Sequence, residues 1–255
     1  MKLNVIRHGT NTSAMPLLIV HGLFGSARNW GAIAKRLSDT RSVWAVDMRN
    51  HGDSPHTDSH SYPDMAGDLA EVIADMGGRA DVLGHSMGGK AAMLLALTRA
   101  DLVHRLVVAD IAPVAYSHSQ TPLIEAMRAL DLTGLTARSE ADARLAAQVS
   151  SRSVRAFLLQ SLDLRTDPPR WRLNLDVLQA EMDRIIGWPE VEGQFAGPTL
   201  FLAGAESDYI RPEHRAPIRA LFPGARFARI PGAGHWLHAE KPREFEAVLR
   251  SALPT

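Results

Sequence analysis

Residues 80–90 read ADVLGHSMGGK, and their pattern decides the fold. An apolar run enters the pentapeptide Gly84-His85-Ser86-Met87-Gly88, and residues 87–99 leave it on a helical pattern. A G-x-S-x-G string suits a sharp strand-to-helix turn that holds a serine hydroxyl exposed on a strained backbone. Glycine is required there on steric grounds. Without a Cβ at positions 84 and 88, strand and helix approach closely, and the first helical amides point at developing negative charge. Taken alone, the pentapeptide is equally compatible with an ordinary glycine turn between a strand and a helix. The surrounding chain separates the two.

Upstream, a short first strand over 3–6 precedes an apolar run at 16–20, whose lack of alternation suits a strand covered by helices on both faces. A turn-rich loop at 23–29 leads to Trp30, Ile33, Ala34 and Leu37 at helical spacing. A strand at 42–48, a polar loop at 49–55 and a helix at 62–76 follow, the helix closed by Gly77-Gly78. Beyond the serine, residues 105–111 form another strand. Strands alternating with helices at this spacing imply parallel β-α-β units. From 113 to about 195 the rhythm changes to helices over 122–130, 139–148, 151–160 and 174–186, with Pro168-Pro169 between them. No strong buried strand is expected in that segment. Alternation resumes with a strand at 199–203, a helix at 212–221, a strand at 226–230, a loop at 231–239 and a helix at 242–253. The expected organisation is an α/β core over 1–112 and 196–255, its mostly parallel central sheet flanked by helices, and a helical cap over 113–195. Such a cap roofs a pocket at the carboxyl ends of the strands, where open α/β sheets bind ligands.

The 255 residues are 45% hydrophobic and carry 28 basic and 28 acidic side chains, which fits one large domain. Balanced charge without a Lys/Arg block argues against a nucleic-acid partner and for a small, neutral substrate. The absence of cysteine excludes disulfides, a thiolate nucleophile and a thiolate zinc site. No run approaches a membrane span, and the first 16 residues, with Asn4, Arg7, His8 and Asn11, lack the apolar centre of a signal peptide, so a cytoplasmic location is expected.

Acyl transfer by serine needs a base, an acid to orient it, and amides to hold the oxyanion. Ser86 is the candidate nucleophile. His235, in the glycine-rich loop Gly232-Ala233-Gly234-His235-Trp236 after the last strand, is the candidate base. Two aspartates follow strands and suit the acid: Asp110 and Asp208. Asp53 and Asp183 are weaker rivals. In His21-Gly22-Leu23-Phe24-Gly25 the Leu23 N–H, or failing it that of Phe24, joins the Met87 N–H as an oxyanion hole. Phe24, His85 and Trp236 are candidate substrate-binding residues; Trp30 and Trp188 also suit packing or pocket walls. His51, His85 and His238 suit loop bracing better than metal binding, since no His-x-Glu-x-x-His pair or Cys/His cluster accompanies them. With no G-x-G-x-x-G fingerprint either, neither a metal nor a cofactor is expected.

Together HGLFGS, DMRNHGDS, GHSMGGKAAM, VVADIAP and GAGHWLHAEKP resemble the α/β-hydrolase superfamily over nearly the whole chain. More narrowly they resemble the capped carboxylesterases and acyl hydrolases that group with the mammalian abhydrolase-domain lipases. The resemblance implies a cap inserted after the sixth strand, an acyl-enzyme formed on Ser86 with His235 as base, and an acid at Asp110. Related members often carry Ser-x-Tyr where this chain has Ser207-Asp208-Tyr209, yet the common superfamily position is also an aspartate here, Asp208. Both acids therefore stand, with a lean to Asp110. The implied activity is hydrolysis of small or medium acyl esters or acyl thioesters, a serine nucleophile arguing against epoxide hydrolase and haloalkane dehalogenase. A C–C bond hydrolase, a cofactor-free perhydrolase and a slow-turnover ligand receptor are the alternatives on the same triad.

Overall fold

The computed structural model describes residues 1–10 and 12–255; Asn11 lies outside the described residues. The chain opens with β1 (Val5–His8) and β2 (Leu17–Val20), the latter buried along its whole length. A single 3-10 turn at Ala27–Trp30 then leads into α1 (Gly31–Leu37), followed by β3 (Val43–Val46). Next comes α2 (Tyr62–Asp75), which starts where the Ser61 hydroxyl accepts the Asp64 N–H at 3.3 Å and ends in the left-handed Gly77-Gly78 pair. β4 (Ala80–His85), α3 (Met87–Thr98) and β5 (Val103–Ala109) complete the first half.

Five short helices follow: α4 (Thr121–Ala129), α5 (Arg138–Leu145), α6 (Arg152–Leu158), and, after the small hairpin of β6 (Leu162–Asp163) and β7 (Arg170–Trp171), α7 (Leu175–Ala180) and α8 (Met182–Ile186). Three expectations change here. The insertion follows the fifth strand of the chain and not the sixth, because one N-terminal strand alone precedes the parallel set. A hairpin stands where no strand was expected, its two-residue strands being too short to show a period. The helix expected over 174–186 breaks at Glu181, although the buried Leu175, Leu178, Met182 and Ile185 keep helical spacing across the break. The chain then returns through β8 (Thr199–Gly204), α9 (Arg215–Leu221), β9 (Ala225–Ile230), a one-turn α10 (Leu237–Glu240) within the expected loop, and α11 (Pro242–Ala252).

The seven-stranded sheet runs β1-β3-β2-β4-β5-β8-β9, with β1 antiparallel and the other neighbours parallel. Its unalternating strands feed two separate apolar layers. Leu18, Val20, Val82 and Val108 pack with α2 and α3, whereas Leu17, Ile19, Leu83 and Val107 pack with α1 and α11. Strand order reverses between β2 and β4, where Val20 lies opposite Gly84. The loops leaving those two strands diverge over a crevice, the place where open α/β sheets take ligands. Among the described residues no helix is long and apolar enough to cross a membrane.

Candidate active site

Ser86 sits at φ 52°, ψ −123°, a left-handed conformation that costs a non-glycine residue on the order of 1–3 kcal/mol. Its surroundings hold it there: its N–H donates to Ala109 O at 3.0 Å and its carbonyl accepts the Lys90 N–H at 3.1 Å. The flanking glycines are sterically required. A Cβ on Gly84 would meet Gly88 O at 2.4 Å, and one on Gly88 would meet His21 O at 2.3 Å. Phe24, Asn50 and Asp110 also have positive φ, so β2, β3, β4 and β5 are each followed by one non-glycine residue in this region. Backbone strain is concentrated at the carboxyl edge of the sheet.

Asp110 is fully buried at the end of β5. Its Oδ2 accepts a hydrogen bond from His235 Nδ1 at 2.8 Å and another from the Ser207 hydroxyl, and its Oδ1 accepts the Gly204 N–H at 3.0 Å. The Tyr209 ring stacks on the His235 imidazole at 4.0 Å and 19°. His85 Nε2 donates to His235 O at 2.9 Å, bracing the loop from the serine side. Asp208, the other candidate acid, is exposed, and its carboxylate makes no hydrogen bond to His235. The physical reason is the chain's exit from β8: Ser207 turns inward onto Asp110, Tyr209 turns onto the imidazole, and the residue between them faces out. Asp53 pairs with Arg28 and Arg172 at a distance from this cluster, and Asp183 belongs to α8.

The HGLFG loop is fastened by two imidazoles. Met48 N–H donates to His21 Nε2 at 2.9 Å and Phe24 N–H to His51 Nε2 at 3.1 Å. Each ring therefore carries its proton on Nδ1, which donates to Gly22 O at 2.7 Å in His21 and to Arg49 O at 2.9 Å in His51. Burial pushes both pKa values down, which keeps the rings neutral acceptors. The Phe24 N–H is committed to His51, whereas the Leu23 and Met87 N–H groups have no protein acceptor among the described residues. Asp47 joins the same loops, its carboxylate accepting from the Ala27 and Asp53 N–H groups and the Asn4 amide at 2.7–2.8 Å.

Ser86, Leu23, Phe24, His85, Met87, His235 and Trp236 all border one cavity of about 290 Å³, closed on the far side by Val154, Phe157, Ile185 and Ile186 of the inserted segment. Ser86 Oγ takes no hydrogen bond to His235 among the described residues; the two share the cavity without a direct bond, as is common before substrate is bound. Burial also lowers the pKa of His85, and brings that of His60, which donates from Nε2 to Met87 Sδ at 3.2 Å, down to about 3. Three lining residues, Tyr62, Tyr116 and the buried Lys90, were not marked by the sequence analysis, and Tyr209 entered it only as part of Ser207-Asp208-Tyr209. Lys90 had a signal, being the one charged residue in a helix that is otherwise apolar all round.

Residues 15–242 match the family model described as the alpha/beta hydrolase fold. A mouse protein, "sn-1-specific diacylglycerol lipase ABHD11", is 43% identical over 246 residues, 93% of this chain and 80% of that protein. "Esterase YbfF" of Escherichia coli K12 is 38% identical over 257 residues, 98% of this chain and 97% of its own. The solved structure titled "Marine microorganism esterase" superposes with a TM-score of 0.93 at 37% identity, covering 99% of each chain.

Proposed function

Because this chain belongs to the α/β-hydrolase family and is a carboxylesterase-type hydrolase, we propose that it cleaves small and medium acyl esters through an acyl-enzyme on Ser86. In this mechanism His235 accepts the Ser86 proton and the alkoxide attacks the ester carbonyl. The N–H groups of Leu23 and Met87 receive the oxyanion, and His235 returns the proton to the departing alcohol. Water then enters and loses a proton to His235 as its oxygen attacks the acyl carbonyl, and His235 returns that proton to Ser86 Oγ as the acyl–serine bond breaks and the acid leaves. Asp110 holds the imidazole through Nδ1 and balances its charge. The observation that carries the proposal is a buried Asp110 bonded to His235, which borders the same cavity as a left-handed serine at the head of α3.

Residues 113–195 act in this scheme as the cap, supplying the apolar wall for the acyl or alcohol chain. Acyl thioesters form the same acyl-enzyme and belong to the proposed substrate range. The test is a panel of p-nitrophenyl esters and acyl-CoA thioesters of graded length, with fluorophosphonate labelling. Ser86→Ala should lower kcat by about 10⁴–10⁶ and abolish labelling. A folded Ser86→Ala protein that still turns over and still labels would overturn the assignment.

A further inference from the structure

Lys90 lies one helical turn beyond Ser86 on α3 and is only 1% exposed. Residues four apart share a helix face and lean toward its N-terminus, so this side chain returns toward the serine end. Among the described residues no carboxylate pairs with it, and burial brings its pKa down to about 7. A lysine so placed is expensive in free energy unless its N–H groups do something a methionine could not. They meet the end of the inserted segment: Nζ donates to Ile186 O at 2.9 Å and to Gly187 O at 2.5 Å, where α8 stops and its carbonyls have no helical partner. The Tyr62 hydroxyl, from α2, donates to the preceding carbonyl, Ile185 O, at 2.6 Å. Three consecutive carbonyls, those of Ile185 and Ile186 in α8 and of Gly187 just after it, are thus tied to two core helices. Ile185 and Ile186 are also wall residues of the cavity.

We propose that Lys90 is a positioning residue: it seats the end of α8 on the nucleophile helix and so fixes the Ile185–Ile186 wall that grips the chain of the ester. The ammonium has three N–H groups and the neutral amine two, so either form can serve both carbonyls. Without them, Gly187 O loses its side-chain donor and Ile186 O keeps only the Tyr116 N–H at 3.0 Å, so the end of α8 is held by that bond, by Tyr62 and by apolar contacts. The wall then stays in place for a short ester, which does not reach it, and yields under a longer one. This inference rests on the ester-hydrolase reading above.

The test compares wild type, Lys90→Met and Tyr62→Phe on p-nitrophenyl acetate, butyrate and octanoate, alongside amide hydrogen exchange over residues 182–187. Lys90→Met should raise KM for the octanoate about tenfold while kcat and KM for the acetate move by less than about threefold, and exchange over 182–187 should accelerate. Tyr62→Phe should act in the same direction by a smaller factor, and it carries the test if Lys90→Met does not fold. An effect equal at all chain lengths, no effect at any, or unchanged exchange overturns the proposal. Exchange needs no turnover. A wild type that hydrolyses none of these esters would therefore count against the ester-hydrolase reading, leaving exchange to decide the role of Lys90.

Discussion

The edge of the sheet and the helical segment above it are stabilised on different terms. At the edge, four residues in left-handed conformations are held by hydrogen bonds: Asp110 by Gly204, Ser207 and His235, Phe24 by His51, and Asn50 and Ser86 by backbone bonds. Above it, helices of five to nine residues are too short to persist alone and depend on what they pack against. Several of their polar ties are surface pairs, such as Arg128–Asp176 and Arg144–Glu140. The contrast teaches a division of labour. Proton transfer and oxyanion binding tolerate little movement, whereas a wall for an alkyl chain needs only volume and moderate stiffness.

The sharpest way to break this contrast is to exchange the acids. Asp110→Asn should lower kcat for a p-nitrophenyl ester about 10⁴-fold, because the imidazole loses both its tautomer and its counter-charge. Asp208→Asn, at the exposed position, should change kcat less than about twofold. Comparable losses in steady-state assays would show that buried and exposed carboxylates share the work.

A smaller effect concerns pH. His60 is fully buried beneath Met87 with its pKa near 3, against 6.5 in an unfolded chain, so between these values the unfolded state binds the extra proton. The stability this group contributes is complete above pH 6.5 and is lost as pH falls toward 3, with a slope of up to about 1.4 kcal/mol per pH unit. His60→Gln should flatten the acid limb of a Tm-against-pH curve by about that slope, and an unaltered limb would remove His60 from the edge's account. The smallest effect is expected in the inserted segment. Asp176→Asn, which breaks the exposed Arg128 pair, should leave kcat as it is and shift Tm by no more than about 3 °C in calorimetry.

The same contrast governs what could be read from the residues in order. Ser86, His235 and the HGLFG loop could be marked as candidates because each is a local pattern: a strand followed at once by glycines and one reactive side chain. A single candidate acid could not, since Asp110 and Asp208 each follow a strand in similar local sequence. What separates them is the pairing of β5 with β8, which brings Gly204 and Ser207 to Asp110. Such a contact spans more than 90 positions and leaves no periodicity. The break at Glu181 and the small hairpin were hidden for a related reason. In short elements, tertiary contacts decide the backbone, and the apolar spacing runs on unbroken. Lys90 was given no role beyond its place in GHSMGGK, although Met87–Thr98 offers no polar face to carry a lysine.

His21 and His51 enter this molecule as bases that catalyse nothing. Each accepts one backbone N–H and gives its single proton to a carbonyl, so a second proton would set N–H against N–H at Met48 and Phe24. Since burial holds both rings on the neutral side, mild acid leaves these two bonds intact, and the arm that carries Leu23 keeps its place over a pH range in which an exposed imidazole takes up its second proton.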